Sequence, residues 1–226
     1  LNHLDARQRE RLVGIGLATP SLAPSLLRHL RIGENDIEAW SGFDMAGRIA
    51  TATALPTLRL DSGSAAGWYE MLELTPPRPA GVAAFFIGAL VGGSIVINGD
   101  LYEGTRGYAG DLGAILVAGA DGTPMPLHLV ASLYALRLHL ASAGHDPGDT
   151  TPDLWDWVAT EPFAMQWIET ASSALAQAII TLAATAEIDI AMINGDLPAP
   201  LLDRLISRTR DQLTRLPALV DRVPDV

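Results

Sequence analysis

With 226 residues, 49% apolar and 18% charged, the chain has enough material to bury a full core in one domain or two small ones, and its composition argues against disorder. Fifteen Lys and Arg against 26 Asp and Glu give a net charge of −11, a field that repels DNA and anionic lipid, so this segment is not expected to touch nucleic acid. Cysteine is absent, which excludes a disulfide framework, a thiolate zinc site and a cysteine nucleophile.

Residues 5–11 are charged and helix-compatible. Residues 12–18 read as a buried strand that ends at Thr19-Pro20. Residues 21–44 hold Pro24, Gly33 and Gly42 and read as irregular, with a short helix at 25–30. Asp44 caps a helix running to about residue 55, Pro56 opens a strand at 57–60, and residues 62–74 form a helix. Thr75-Pro76-Pro77-Arg78-Pro79 is a break, taken as the boundary between lobes 1–79 and 80–226. Residues 82–87 form a buried strand, and Asn98-Gly99 is a two-residue hairpin turn between 95–97 and 101–102. Residues 114–117 are a further strand and Asp121-Gly122 a turn.

The second half is helical. Residues 127–142 are apolar at Leu129, Leu133, Leu136 and Leu140, and a polar loop covers 144–152. Residues 161–187 carry Ile168, Ala171, Leu175, Ala178, Ile179, Leu182 and Ala186 at helical spacing. The uncharged run 170–186 is shorter than the about 20 residues of a bilayer span and contains Ser, Thr and Gln, so a buried helix is expected there. A strand at 188–193, a turn at Asn194-Gly195 and a helix at 200–213 follow. The opening residues lack the apolar core of a signal peptide, and a cytoplasmic protein with no membrane partner is expected. Strands alternating with helices argue for an α/β sheet with helices on its faces.

Residues 85–113 carry most of the chemistry. Gly88, Gly92 and Gly93 lack a Cβ, so the backbone there is free to adopt positive φ and turn its amides toward an anion. An ordinary β-turn ahead of a hairpin is the alternative. The frame Gly88-Ala89-Leu90-Val91-Gly92-Gly93-Ser94-Ile95, then Ile97-Asn98-Gly99-Asp100-Leu101-Tyr102-Glu103-Gly104, then Ala109-Gly110-Asp111-Leu112-Gly113-Ala114 resembles the ROK family of repressors, open reading frames and sugar kinases. Family members show a GTGIGGGI-like loop, I-I-N-G-x-L-Y-x-G and A-G-E-I-G-H. The resemblance covers nearly all of the chain. It implies an α/β fold of the actin-like ATPase, sugar-kinase-like (ribonuclease H-like) type, with two lobes around a cleft. The D-x-G-G-T hairpin that opens such folds is not found, so residues 1–226 are expected to be a ROK-like domain lacking its start. Pro20 matches the family's G-I-x-V-P-G, with Ser21 in place of the glycine.

Leu60-Asp61-Ser62-Gly63-Ser64-Ala65-Ala66 falls where the family has N-D-A-N-A-A-A. The resemblance makes Asp61 the carboxylate that removes a proton from a sugar hydroxyl in the kinases, and a sugar-binding amide is lost at Leu60. A cap on the following helix is the other reading of Asp61. Asp111 stands for a sugar-binding glutamate and is one methylene shorter. Ala114 replaces a histidine that touches zinc and sugar, and no acidic residue occupies the stretch between Gly122 and Ser142, where a second sugar-binding glutamate is usual. In the phosphate loop, Ala89 and Leu90 replace threonine and glycine. Zinc is not expected, because Gly122-Thr123-Pro124-Met125-Pro126-Leu127-His128 replaces the family's cysteine motif and His128 alone cannot supply about four ligands.

A retained frame with altered kinase and zinc positions leads to one expectation: the ligand-binding and oligomerisation region of a ROK-type transcriptional regulator. In it Asp61 and Asp111 hold a sugar or sugar derivative, no cofactor is used, DNA is met only through a winged helix N-terminal to Leu1, and the protein is a homodimer or tetramer. Two alternatives stay open. A divergent ROK sugar kinase uses Asp61 as base and Gly88, Gly92 and Gly93 on the phosphates of ATP, with Mg²⁺. A pseudoenzyme scaffold binds no small molecule.

Overall fold

The computed structural model describes residues 3–20, 23–148, 151–217 and 220–226. Ser21 and part of the 144–152 loop lie outside the described residues. Contacts divide the chain into two units, Leu1–Ser62 and Gly63–Val226. The proline-rich segment at 75–79 is a connection inside the second unit.

In the first unit, α1 (Ala6–Glu10) starts on a reciprocal cap: the Asp5 carboxylate accepts from the Gln8 amide at 2.8 Å, and the Gln8 side chain accepts from the Asp5 amide at 2.9 Å. Strand β1 (Ile15–Thr19) begins three residues later than the sequence suggests. Pairing sets that limit, because Ile15 already donates to the Pro56 carbonyl and Pro56 has no N–H to extend the ladder. The helix α2 (Pro24–His29) is followed by α3 (Glu34–Ser41), in a stretch expected to be irregular. Gly33 and Gly42, read as breakers, cap the two ends of α3 instead. Glu34 and Asp36 sit in its first turn, where the helix dipole favours negative charge. Asp44 caps α4 (Met45–Thr53) by accepting from the Gly47 amide at 2.9 Å. Strand β2 (Thr57–Asp61) then runs parallel to β1 and sets Asp61 opposite Thr19.

Helix α5 (Ser62–Glu73) leads into the second unit, whose sheet contains β3 (Val82–Ile87), β4 (Val91–Ile97) and β5 (Asp100–Leu101). Asn98 and Gly99 join β4 to β5 with φ of 55° and 82°, the two left-handed residues that a type I′ turn demands. A separate hairpin pairs β6 (Leu116–Ala118) with β7 (Pro124–Pro126). Helices α6 (His128–Ala131), α7 (Leu133–Ser142) and α8 (Trp157–Ala186) precede β8 (Ile190–Gly195) and α9 (Ala199–Leu213). The sheet order is β5-β4-β3-β8, with β3 antiparallel to β4 and parallel to β8.

Strand β3 is apolar throughout because both its faces are covered. Ala83, Phe85 and Ile87 belong to a core with Leu136, Leu140, Ile168, Leu175, Ile179 and Leu205, whereas Val82 packs with Met71 and Val96 on the α5 side. Three sequence readings need correction here. The single helix expected over 127–142 breaks at Ser132, whose backbone is extended (ψ 165°) and whose hydroxyl caps α7 by accepting from the Ala135 amide. Asn194-Gly195 is not a turn; both residues finish β8 opposite Phe86 and Ile87, and a Cβ at Gly195 would collide with the Ile87 backbone. Helix α8 starts at Trp157, capped by Asp156, so Pro162 lies inside it. Among the described residues no helix is long and apolar enough to cross a membrane.

The fully buried Leu175 and the exposed Val158 lie on the same helix. Leu175→Ala is expected to cost roughly 2–5 kcal/mol in urea denaturation, and Val158→Ala to stay within about 0.5 kcal/mol of the parent.

Candidate functional site

The site is built on a loop that lies unusually close to β4. Asp111 precedes a 3-10 turn, Leu112–Ala114, and the buried Leu112 anchors that turn in the core. Three glycines permit the approach. A Cβ at Gly93 would stand 2.6 Å from the Leu112 Cγ and 2.9 Å from the Ala84 carbonyl oxygen. A Cβ at Gly110, which has φ +91°, would stand 2.9 Å from the Ser94 Cα. A Cβ at Gly113 would collide with the His128 imidazole and stand 2.6 Å from the Val91 carbonyl oxygen. Contacts that short force the backbone or its neighbours to shift, so the close packing requires glycine at each place.

Asp111 is thereby held with its side chain 40% exposed, while one carboxylate oxygen meets the buried His128. The distance from His128 Nε2 to Asp111 Oδ1 is 3.2 Å, and His128 is only 5% exposed. His128 opens α6, whose start is tied to the strand after the loop by the Leu127 amide donating to the Ile115 carbonyl at 2.9 Å. The Ser132 hydroxyl donates to the His128 carbonyl at 2.5 Å, closing that short helix. The other ring nitrogen, Nδ1, is buried with no hydrogen-bond partner.

The structure thus gives His128 a carboxylate partner. Buried polar side chains need partners, and a lone histidine on an apolar helix beside a loop carrying one carboxylate is the signal that points to this pair. Ala114, at the family's histidine position, ends the 3-10 turn and has no polar side chain to offer. No group of three or more His, Asp or Glu capable of holding a metal occurs among the described residues.

Asp61 closes β2 in the first unit, half-buried, and its neighbour Arg59 donates from Nε to the Thr19 hydroxyl at 2.6 Å. The glycine-rich segment is arranged differently from the expected anion-facing loop. Gly92 and Gly93 lie within β4, paired with Phe86 and Phe85, and none of Gly88, Gly92 and Gly93 has positive φ. Packing explains them: besides Leu112 at Gly93, the backbone of Gly63 comes within 3.4 Å of a Cβ at Gly92. The Gly88 amide donates within its own tight turn, to the Phe86 and Leu90 carbonyls at 3.2 Å. The carbonyls of Gly88 and Ala89 accept from the first amides of α7, Leu133 and Tyr134, at 2.9 and 3.1 Å. Those helix-start donors are satisfied by the turn.

A cavity of about 500 Å³ is lined by Trp157, Leu197, Pro198, Asp153 and Asp196. Asp196 links the two features. Its amide donates to the Ile87 carbonyl at 3.0 Å, and its carboxylate stands 3.5 Å from a Cβ built at Gly88.

The fold is the α/β sugar-kinase-like one of known ROK structures. A ROK hexokinase from Thermus thermophilus superposes with a TM-score of 0.63 over 94% of this chain and 71% of its own, at 20% identity. The ROK family pattern matches residues 2–219, and the chain belongs to that family. The Bifunctional enzyme NanE/NanK of Brucella melitensis is 30% identical over 72% of the chain, and an N-acetylmannosamine kinase of Vibrio vulnificus is 25% identical over 80%. The chain spans 33% of the first relative and 61% of the second.

These relatives overturn the regulator expectation. Curated proteins that match the chain include N-acetylmannosamine kinases and a glucokinase of Halalkalibacterium halodurans. A ROK family transcriptional regulator shares the fold at a lower TM-score of 0.54 and 19% identity.

Gly113→Ala should force the His128 ring away from Asp111. A destabilisation of about 1–3 kcal/mol is expected from thermal unfolding, against about 1 kcal/mol or less for Ala at Gly16, where a Cβ meets nothing within 4 Å.

Proposed function

We propose that this chain serves ATP-dependent phosphorylation of a hexose-type sugar. One observation carries the reading: the candidate groups stand where parallel strands end. Asp61 is the last residue of β2, the Gly88 turn follows β3, and Asp196 follows β8. The carboxyl ends of parallel strands are where open α/β sheets bind ligands. The sugar-kinase names of the matching relatives support the same reading.

In this reading Asp61 is the base. Its carboxylate takes the proton of the accepting hydroxyl as that oxygen attacks the γ-phosphorus; the bond from phosphorus to the bridging oxygen breaks, and ADP leaves. Asp111 accepts hydrogen bonds from other sugar hydroxyls, which fixes the sugar's orientation. The apolar walls of the cavity suit a flat base, and its two carboxylates suit ribose hydroxyls while repelling phosphates. Mg²⁺ supplies charge neutralisation on the phosphates when bound; no carboxylate cluster among the described residues is built for it, so the ion is expected to come with the nucleotide.

The test is release of ADP by the intact protein across common hexoses and their N-acetylamino forms. Turnover with at least one sugar is expected, falling about 10²–10⁴-fold in Asp61→Asn; no turnover with any of them would overturn the reading. Trp157→Ala should raise the KM for ATP about tenfold and leave the KM for sugar within about twofold, measured in the same assay.

A further inference from the structure

We infer that His128 is the positioning residue of the sugar-binding carboxylate Asp111, acting through its ring Nε2–H and not by touching the sugar. The inference rests on the sugar-kinase reading above for the identity of the ligand, and on geometry for the pair itself.

Four observations support it. His128 is 5% exposed, so its ring has almost no surface to present to a ligand, whereas the Asp111 side chain is 40% exposed. The 3.2 Å contact engages Oδ1 of Asp111 and leaves the second oxygen for hydroxyl donors. Nδ1 is buried with no partner. A proton there would be an unmet buried donor, whereas a bare lone pair costs less, and this selects the neutral tautomer protonated at Nε2. Finally, Gly113 leaves open the volume that the ring fills, and the Ser132 hydroxyl closes α6 by bonding to the His128 carbonyl. Ring and carboxylate are thus each held from behind, by α6 and by Leu112 in the core.

An aspartate reaches one methylene less far than a glutamate. Its carboxylate must therefore sit in one particular rotamer to serve a ligand, and a half-exposed aspartate has no reason to keep that rotamer without a donor behind it. His128 supplies the donor. The pair orients an acceptor for neutral hydroxyls; it adds no exposed positive charge, so it favours an uncharged sugar over a sugar phosphate at this position.

The experiment compares wild type, His128→Leu and His128→Gln in the intact protein, reading kcat and both KM values, with thermal unfolding as the folding control. His128→Leu is expected to raise the sugar KM about tenfold, with kcat and the ATP KM within about threefold of wild type; His128→Gln, which keeps a donor, should recover most of the loss. An unchanged sugar KM in His128→Leu, or equal rises in both KM values, would overturn the inference. Nitrogen-15 spectra of the histidine rings decide the pair independently of turnover. Wild type should show His128 protonated at Nε2 alone, with signals that move in Asp111→Asn. A ring protonated at Nδ1, or one indifferent to Asp111→Asn, would refute it even if His128→Leu fails to fold. Absence of turnover in wild type would defeat the kinase reading while the spectra still decide the pair.

Discussion

The second unit depends on how closely one loop can approach one strand. Gly93, Gly110 and Gly113 each lie where a single methyl group would strike a neighbour, and together they let residues 110–114 settle onto β4. That contact places Leu112 in the core, which fixes Asp111, and gives the His128 ring its space. The glycines act here chiefly by having no side chain; only Gly110 among the three also uses a left-handed backbone. A motif that looks suited to bind phosphate by backbone freedom works in this structure as a packing device that delivers a carboxylate. The two roles are separable: the first needs free amides and positive φ, the second needs only missing atoms.

The layered arrangement follows from the same economy of space. Strand β3 is flanked by β4 and β8 and covered on both faces, so it has no polar position in its length. The functional groups are pushed to its end, where the turn at Gly88 meets Asp196 from the end of β8. In the first unit, β2 ends on Asp61, opposite Thr19 of β1, and α5 begins at the next residue.

Most of the fold was legible from local signals. Asp44 caps the helix that follows it, Asn98-Gly99 makes its hairpin, and the stripe from Ile168 to Leu182 marks the buried helix. The misses share a cause. Gly33, Gly42, Asn194 and Gly195 were read by intrinsic preference, yet the first two cap a helix and the last two pair with β3 because the sheet offers them partners. Ser132 could have been either an interior helix residue or a cap, and only the bonds to His128 and Ala135 settle which. The site was legible in part: Asp111 was singled out, but its partner lies 17 residues away with a hairpin between them, a distance that no local pattern spans.

That separation also hides the pair from any position-by-position comparison. Position by position, the chain exchanges a glutamate for a shorter aspartate, loses a histidine at Ala114 and lacks a second glutamate further on. Counted that way, each change is a subtraction. In three dimensions His128 returns an imidazole to the neighbourhood of the carboxylate, from a different element and from a buried position. The shorter acid and the buried ring complement one another, since a ring behind the carboxylate is useful only if the acid is too short to find its own support. A substitution count treats residues as independent, and residues in one hydrogen-bonded pair are not. Whether a site has decayed is a question about the pairs that remain, and the pair that remains here is an exposed acceptor with a buried donor behind it.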